Sequence, residues 1–409
     1  MPIFYSLAIR FYYVLLYLAS FFNQKAKFWI QGRKNWESRF KPTANKKRAW
    51  LHFASLGEFE QGKPLLQAIR KQHPEKEIII TFFSPSGYEV RKNSNLGDYI
   101  LYLPLDTPAN AQRFLDIFTP ELVIFNKYEY WFNFYKACAD RGVPVYVSSA
   151  IFRPNQIFFK WYGAFNRRIL GFVQHFFVQN KESAQLLASI GFNNATVCGD
   201  TRFDSVLDLA KSRKDFPLVE AFKAGSKLIV AGSTWPADEA LIHNYAELLP
   251  KDWKIIFAPH EIGEEKITGL QKLLGEKALR YSATSMDQEM PLANYRYLVI
   301  DNIGMLSSLY SYGELAYIGG GFGVGIHNTL EAAAWGLPVV FGPNYQKFQE
   351  AKDLIAFGGG FSVKTQNELN QVFNVLVNDK EDRAKAGAIA KEYVAAHTGA
   401  SAQIMAKIF

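Results

Sequence analysis

Short apolar runs recur along the chain, and stretches with helical periodicity separate each run from the next. After Arg48 the first series of runs lies at residues 49–54, 77–83, 99–103, 122–126, 143–148 and 175–178. A second series follows at residues 227–231, 254–258, 297–300, 315–318 and 338–341. Apolar runs that alternate with helices indicate parallel strands covered on both faces. The sequence therefore predicts an α/β fold.

A polar, helix-like stretch at residues 203–225 divides the strands into the two series. A chain of 409 residues is also too long for one ordinary hydrophobic core. We therefore expect a Rossmann-like, doubly wound domain over residues 25–205 and a second one over residues 206–409, with a cleft between them. The segment after Glu381 should form C-terminal helices, and the last of these could pack back on the first domain.

The basic residues are concentrated at the N-terminus. Residues 1–48 hold ten Lys or Arg and one acid, Glu37, so their net charge of +9 exceeds the +8 of the whole chain. The remaining 361 residues therefore sum to −1. A general basic surface for nucleic acid is not indicated, and we expect no nucleic-acid partner.

The same N-terminus is strongly apolar. Residues Ile3–Phe22 contain one charge, Arg10, and as a helix they would be about 30 Å long, the thickness of a bilayer core. Charges follow the apolar run, which argues against a cleaved signal peptide. A central Arg costs about 2.5–3.5 kcal/mol on insertion, so spanning is marginal. We expect residues 1–24 to anchor the chain by spanning the membrane or by lying on it; a helix packed on the protein is the alternative.

A glycine-rich turn follows the strand at residues 315–318. It contains five glycines, Gly319, Gly320, Gly321, Gly323 and Gly325, and a helix is expected to begin near His327 or Asn328. Glycines allow a close backbone approach, and the free amides at a helix start favour a phosphate. Glu331, one turn inside, could accept hydrogen bonds from sugar hydroxyls. A tight packing turn with Glu331 as an ordinary first-turn charge is the alternative.

Other polar side chains also stand where strands end. Glu58 follows the first strand, either as a catalytic acid or as a first-turn helix charge. Ser233 and Thr234 are either helix caps or phosphate contacts. His260 ends another strand in the second series and faces either a cleft or solvent. Lys127 and Glu129 lie in "FNKYEYWFN", where charges beside aromatic rings suit a sugar, a lipid or a simple rim.

No metal or cofactor motif is present. The two cysteines, Cys138 and Cys198, lie 60 residues apart and form no metal-ligand spacing, which fits a reducing compartment. The glycine-rich turn does not read G-x-G-x-x-G, and no P-loop motif occurs. We therefore expect neither a metal nor a cofactor.

Several segments, taken in order, resemble the lipid A Kdo transferases, the 3-deoxy-D-manno-octulosonic-acid transferases. These segments are "SLGEFEQGKPLL", "YLPLDTPANAQRFL", "KYEYWFN", "GDTRFD", "GSTWPADE", "DNIGMLSSLY" and "GIHNTLEAAAWGLPVVFGP". The resemblance covers nearly the whole chain. It implies a GT-B fold and an inverting glycosyltransferase that moves Kdo from CMP-Kdo to the lipid A precursor. It also implies a place at the cytoplasmic face of the inner membrane, in contact with membrane lipids.

The resemblance also assigns roles to residues. It makes Glu58 the catalytic base and Glu129 the second acid of the family's E-x-E-x-W-P-N pattern. The CMP-Kdo site falls on the late Gly-His-Asn-x-x-Glu region and the strand ends that face it, namely Ser233, Thr234, His260, Gly319, Gly320, Gly321, His327, Asn328 and Glu331. Lys127 and Arg153 are assigned to the acceptor. Arg202 and Lys347 are further candidates for contacts with acidic groups.

The sequence departs from the family pattern at several points. Lys127 stands at the first acid of the E-x-E pattern, and Phe132 stands at its proline. His260, Glu261 and Ile262 replace the usual Arg-His-Pro. Two other functions therefore stay open: another GT-B enzyme, such as a UDP-sugar transferase or epimerase, and an inactive membrane-associated scaffold.

Overall fold

The computed structural model describes residues 2–44, 46–285 and 291–409. The chain divides into two compact units. The N-terminal unit comprises Met1–Ser205 together with Thr398–Phe409, and the C-terminal unit comprises Val206–His397.

The N-terminal unit is built on a seven-stranded parallel sheet with the strand order β3-β2-β1-β4-β5-β6-β7. Its strands are β1 (Arg48–Phe53), β2 (Glu77–Phe82), β3 (Tyr99–Tyr102), β4 (Leu122–Asn126), β5 (Val145–Ala150), β6 (His175–Val178) and β7 (Ala195–Val197). Its helices are α1 (Pro2–Ala19), α2 (Gln24–Gly32), α3 (Leu56–Gln72), α4 (Pro85–Arg91), α5 (Pro108–Phe118), α6 (Phe132–Asp140), α7 (Ala164–Leu170) and α8 (Lys181–Ser189). Helix α9 (Thr201–Lys211) begins in this unit and continues into the next.

The C-terminal unit repeats this plan with the strand order β10-β11-β9-β8-β12-β13-β14, again all parallel. Its strands are β8 (Lys227–Thr234), β9 (Trp253–Pro259), β10 (Ala278–Arg280), β11 (Tyr297–Val299), β12 (Leu315–Ile318), β13 (Val339–Phe341) and β14 (Gly360–Ser362). Its helices are α10 (Pro217–Lys223), α11 (Pro236–Tyr245), α12 (Glu264–Leu274), α13 (Leu306–Leu309), α14 (Leu330–Ala334), α15 (Gln349–Phe357), α16 (Gln366–Asn378) and α17 (Lys380–Ala396).

The predicted α/β class and the two doubly wound sheets are confirmed, but three edge strands were missed. These are β7, β10 and β14, each of three residues. They lack the continuous apolar run of a buried strand because an edge strand pairs on one side only. In β7, for example, Thr196 and Val197 are exposed. The eleven predicted runs all form strands, with ends that differ by up to three residues.

In both sheets the chain first fills one side of a central strand and then the other. In the N-terminal unit this switch lies between β1 and β4, and in the C-terminal unit it lies between β8 and β12. The order differs in the C-terminal sheet, where β10 lies at the edge and the chain returns to place β11 between β10 and β9. Loops at the carboxyl ends of the two strands beside such a switch leave the sheet in opposite directions and open a crevice. Each sheet therefore has one place where its fold favours a ligand.

Helix α1 has one face against the N-terminal unit. The hydroxyl of Tyr5 donates to the Asp106 carboxylate at 2.6 Å, and its ring packs on Phe132 and Phe165. The ring of Tyr12 packs on Trp29. The apolar run suggested a helix that continues to Phe22, but α1 ends at Ala19. No residue of α1 is fully buried, and its length and composition alone would allow it to cross a membrane.

The last helix, α18 (Ala400–Ile408), packs on α3 of the N-terminal unit. Both oxygens of Asp204 accept backbone N–H groups at its start, from Gly399 at 2.6 Å and Ser401 at 2.7 Å. Residues 398–409 therefore belong to the N-terminal unit.

Candidate functional site

Glu58 lies in the first turn of α3, immediately after β1 at the switch of the N-terminal sheet. The hydroxyl of Ser55, the N-cap residue, donates to its carboxylate. Asn126, the last residue of β4, donates from Nδ2 to the backbone oxygen of Glu58 at 2.9 Å. The start of α3 is thereby fixed to the neighbouring strand, and the partly exposed Glu58 side chain stands at the crevice edge.

Glu129 follows β4, the other strand of the same switch, and two N–H groups hold its Oε2 atom. Trp131 donates from Nε1 at 2.7 Å, and Nε2 of the fully buried His52 lies at 3.4 Å. On its other side, His52 Nδ1 lies 2.8 Å from the Thr81 hydroxyl, which also accepts the Trp50 Nε1–H. If the ring proton is on Nε2, the His52 ring donates to Glu129 and accepts a hydrogen bond at Nδ1 from the Thr81 hydroxyl. The structure thus brings Glu58 and Glu129 to one edge and adds His52, which was not singled out from the sequence.

Lys127 lies directly after β4 in a left-handed conformation, with a φ of 63°. Burial alone would raise the pKa of Asp200, but the charges of Arg202 and Lys127, together with hydrogen bonds from Arg202, lower that pKa. Lys127 therefore acts on a buried carboxylate of its own unit. Arg153, the other proposed acceptor contact, lies in the loop after β5 with an exposed side chain.

In the C-terminal unit the turn after β8 is organised by Asp238, a residue that was not singled out from the sequence. This buried carboxylate accepts the backbone N–H groups of Trp235 and Gly320 at 2.9 Å each, and the Tyr317 hydroxyl at 2.8 Å. Asp238 is the third residue of α11 and accepts the N–H of the N-cap residue Trp235, so an acid three residues after the expected helix start could have revealed it. Asp238 ties the end of β8 to the glycine-rich turn after β12.

Ser233 and Thr234 differ in their surroundings. Thr234 is buried, and its hydroxyl donates to Glu239 at 2.9 Å, so its side chain serves the turn. Ser233 has a φ of 53° and is partly exposed. The N-cap of α11 is Trp235, so Thr234 is not a helix cap and its hydroxyl is engaged within the turn, whereas Ser233 lies at the crevice edge.

The glycines of the next turn have a packing role. A Cβ atom on Gly319 would lie 2.2 Å from the Ser233 backbone oxygen, and one on Gly321 would lie 2.5 Å from the Gly342 Cα. Gly320 has a φ of 90°. Close approach of backbones thus requires all three glycines, and their number alone does not indicate a phosphate. The turn nevertheless brings His327 to the switch, where the backbone N–H of His327 donates to the backbone oxygen of Gly319 at 3.1 Å.

Three rings form a stack beside this turn. His260 lies between Trp235 and His327, with centroid distances of 5.1 and 4.3 Å. Trp235 Nε1 donates to Nε2 of His327 at 3.3 Å, which places the proton of a neutral His327 on Nδ1. Burial, and secondarily the neighbouring His260, lowers the pKa of His327 to about 4. At neutral pH this imidazole is therefore an uncharged hydrogen-bond donor.

The expected helix start at His327 or Asn328 is wrong. Helix α14 begins at Leu330 and is only five residues long. Asn328 precedes this helix. Its Oδ1 atom accepts the backbone N–H of Leu330, and its Nδ2 atom donates to the Glu331 carboxylate at 3.1 Å. Asn328 and Glu331 thus stand beside the turn as a hydrogen-bonded pair.

The two other basic candidates, Arg202 and Lys347, differ in their surroundings. Arg202 pairs with Asp200 at 2.7 Å, whereas Lys347 is exposed in the loop before α15. Within residues 2–44, 46–285 and 291–409, no group of three or more His, Cys, Asp or Glu side chains could hold a metal ion.

Comparison with known proteins identifies what this arrangement is similar to. Residues 34–205 match the family model of the 3-deoxy-D-manno-octulosonic-acid transferases (Kdo transferases). The Aquifex aeolicus enzyme of that name is 27% identical over 341 residues, which cover 81% of this chain and 87% of the relative. The Haemophilus influenzae enzyme is 26% identical over 367 residues, covering 87% and 85%.

Solved structures support the fold. UDP-GlcNAc 2-epimerase from Neisseria meningitidis superposes with a TM-score of 0.62 at 18% identity, covering 88% of this chain and 98% of that one. MurG from Acinetobacter baumannii gives 0.54 at 14% identity, covering 88% and 99%. These likenesses concern the fold, which is of the GT-B class. The resemblance to the Kdo transferases is confirmed by the family model over residues 34–205 and by the Aquifex aeolicus and Haemophilus influenzae relatives over more than four fifths of the chain.

Proposed function

We propose that this chain is an inverting glycosyltransferase that moves Kdo from CMP-Kdo to the lipid A precursor during lipopolysaccharide synthesis. The observation that carries the proposal is the pair of carboxylates, Glu58 and Glu129, at the switch of the N-terminal sheet. The relatives that match most of the chain are named Kdo transferases, which supplies the sugar.

Glu58 is the proposed base. An alcohol is a poor nucleophile at neutral pH, and a positioned carboxylate typically gives about 10²–10⁴-fold acceleration. Glu58 takes the proton from the acceptor hydroxyl, and the oxygen attacks the Kdo anomeric carbon opposite the departing CMP. Glu129, with its carboxylate held by Trp131 and His52, orients the acceptor. Lys127 and Arg153 are proposed to contact its acidic groups.

The C-terminal unit binds the donor in this proposal. CMP leaves with one phosphate, and the negative charge that collects there is stabilised by hydrogen-bond donors. Ser233, His327 and Asn328 supply such donors at the crevice edge, while His260 completes the ring stack. Thr234, Gly319, Gly320, Gly321 and Asp238 shape the turn that presents them. Glu331 accepts from sugar hydroxyls.

The membrane part of the proposal follows from the acceptor. A lipid substrate is reached most directly by an enzyme held at the membrane, and the apolar helix α1 provides the anchor. The exposed basic residues after it favour the cytoplasmic face of the inner membrane. Two of the basic residues counted from the sequence, Arg33 and Arg48, are instead buried structural groups.

A product assay tests the proposal. Purified full-length protein is incubated with CMP-Kdo and lipid acceptor, and the lipid is weighed by mass spectrometry, with UDP-GlcNAc as the competing donor. We expect lipid heavier by whole Kdo residues, release of CMP, and full activity in EDTA. Turnover of UDP-GlcNAc without Kdo transfer would favour the epimerase alternative. Absence of both reactions and of CMP binding would leave the scaffold.

A further inference from the structure

The two sides of helix α1 have different surroundings. At about 100° per residue, the half-buried positions fall in one arc that faces the N-terminal unit. These positions are Tyr5, Ser6, Ile9, Tyr13 and Leu16. The most exposed large apolar residues fall in the opposite arc, about 120° wide. They are Ile3, Phe4, Leu7, Phe11, Val14, Leu15 and Leu18.

The protein-facing side is attached along much of its length. Near its start, Tyr5 is hydrogen-bonded to Asp106, whose buried carboxylate also accepts the backbone N–H groups of Asn133 and Phe134. About 10 Å further along the helix, Tyr12 packs on Trp29 and on Phe83. A spanning helix would have to break these contacts and expose its tyrosines to lipid. The geometry is that of a helix lying along the domain.

One contact on this side occurs where the sequence departs from the Kdo transferase pattern. Phe132 stands at the position of the family's proline, and its ring packs on Tyr5 at 5.7 Å and on Phe165 at 5.0 Å. Phe132 also begins α6, so α1 is docked directly beside the loop that carries Glu129. Through Phe83, which stacks on Trp131 at 5.1 Å, Tyr12 is linked to the residue that holds the Glu129 carboxylate.

The outward side fits an anionic lipid surface. Its apolar arc carries no acid, and the one charge of the helix, Arg10, is exposed at the border of that arc. Lys25 and Lys27, just after the helix, are exposed too. Trp161, which is 90% exposed, precedes α7, the helix whose Phe165 contacts Tyr5. Tryptophan and basic side chains at the edge of an apolar surface are typical of the membrane interface.

We propose that α1 does not span the bilayer but lies in the plane of the interface. Its outward apolar arc lies in the lipid, and its other face packs on the rest of the N-terminal unit. This inference rests on the membrane part of the proposed function and adds the orientation of the helix. The loop that carries Glu129 then lies beside the lipid surface, so a lipid acceptor need not leave the membrane to approach it.

Depth measurements on full-length protein test the proposal. Single cysteines replace Phe4, Leu7, Phe11 or Leu18 on the outward face, each carrying an environment-sensitive fluorophore. The protein is bound to vesicles of phosphatidylethanolamine and phosphatidylglycerol that contain quenchers at known depths. Ile9→Cys is the matched control on the protein-facing side, and unsubstituted protein reports labelling of Cys138 and Cys198, which are buried.

We expect all four outward positions to lie at one shallow depth, about 5–10 Å below the headgroups, and Ile9→Cys to be poorly quenched. A profile deepest at Phe11 and shallow at Phe4 and Leu18 would overturn the proposal in favour of a spanning helix. Fluorescence that responds to protein concentration but not to vesicles would overturn it in favour of a second copy on this face. Since the measurement involves no turnover, its failure is distinguishable from failure of the transferase function.

A second measurement, the accessibility of residue 2 from outside the vesicle, does not depend on how the outward face of α1 packs. Pro2→Cys protein in sealed vesicles, with its soluble units outside, is treated with a membrane-impermeant maleimide. An in-plane helix keeps residue 2 on the outside, and we expect complete labelling without detergent. Labelling that requires detergent would place residue 2 across the bilayer and contradict the proposal.

Discussion

The two sheets have the same plan, but their switch points carry opposite kinds of side chain. In the N-terminal unit, Glu58 and Glu129 follow the two strands of the switch. In the C-terminal unit, Ser233 lies at the end of β8, and the turn that carries His327 follows β12. The first edge presents proton acceptors, whereas the second presents donors. The parallel topology thus determines where a ligand binds, and a few residues determine which chemistry occurs there.

The supporting residues differ in the same sense. N–H groups of Trp131 and His52 hold the Glu129 carboxylate in the first unit, so the acid is oriented by donors from below. In the second unit a buried acid, Asp238, holds backbone N–H groups of the two turns together. Hydrogen-bond donors therefore support the acceptor edge of the first unit, and a hydrogen-bond acceptor supports the donor edge of the second. Three predictions test this division and a fourth tests a helix outside it, from the largest expected effect to the smallest.

The largest effect is expected at Glu58. Replacement by Gln keeps the shape and hydrogen-bonding capacity but removes the base, so turnover should fall at least about 100-fold. Turnover of CMP-Kdo with lipid acceptor is the measurement. Glu60→Gln is the matched control on the same helix; its exposed pair with Arg91 is not part of the site, and activity should stay near normal. Near-normal turnover of Glu58→Gln would remove the catalytic assignment.

A smaller effect is expected at His52. Changing it to Leu removes the ring N–H that faces Glu129, and at 3.4 Å this contact is long. We expect kcat to fall about tenfold, the equivalent of about 1.4 kcal/mol, with little change in the KM for CMP-Kdo. His175→Leu is the control. His175 is also hydrogen-bonded to a threonine of the neighbouring strand, but it lies at the start of β6 and not at the carboxyl end, where the site is. A raised KM without loss of kcat would contradict a role through Glu129.

The low pKa of His327 predicts a pH effect. Since its pKa is about 4 in the folded state and about 6.5 in an unfolded chain, the folded state binds the proton less well. Stability contributed by neutral His327 is present above about pH 6.5 and is lost as the pH falls toward 4. His327→Asn should therefore lose fewer degrees of Tm between pH 7 and pH 4.5 than the unsubstituted protein, with a difference of a few degrees. Parallel Tm curves for the two proteins would contradict the assignment.

The smallest effect is expected at Asp204, which lies outside both switch points. Asp204→Ala removes the acceptor for two backbone N–H groups at the start of α18, and loss of such a cap costs about 1 kcal/mol. Denaturant unfolding measures this loss. Asp208→Ala, an exposed acid on the same helix, is the control and should change the free energy of unfolding by less than about 0.5 kcal/mol. Equal effects of both changes would show that α18 is held by its apolar contacts alone.

The sequence was sufficient for the eleven longer or central strands because buried parallel strands leave continuous apolar runs, as at residues 122–126, but it missed the three short edge strands. It also located Glu58, Ser233 and the glycine turn, since all follow such strands. It could not reveal His52, which lies inside β1 and depends on partners 29 and 77 residues away. Nor could it show that Gly319 and Gly321 are needed for backbone packing, because that contact joins separate strands.

The most direct test of the division between the two edges is calorimetric titration of CMP into Glu58→Gln and His327→Ala. If the N-terminal edge supplies only the base and the C-terminal edge binds the donor, Glu58→Gln should bind CMP with a Kd within about twofold of the unsubstituted protein. His327→Ala should bind about tenfold more weakly, as expected for the loss of one hydrogen bond to a charged phosphate. Loss of CMP affinity in Glu58→Gln, or unchanged affinity in His327→Ala, would contradict the account.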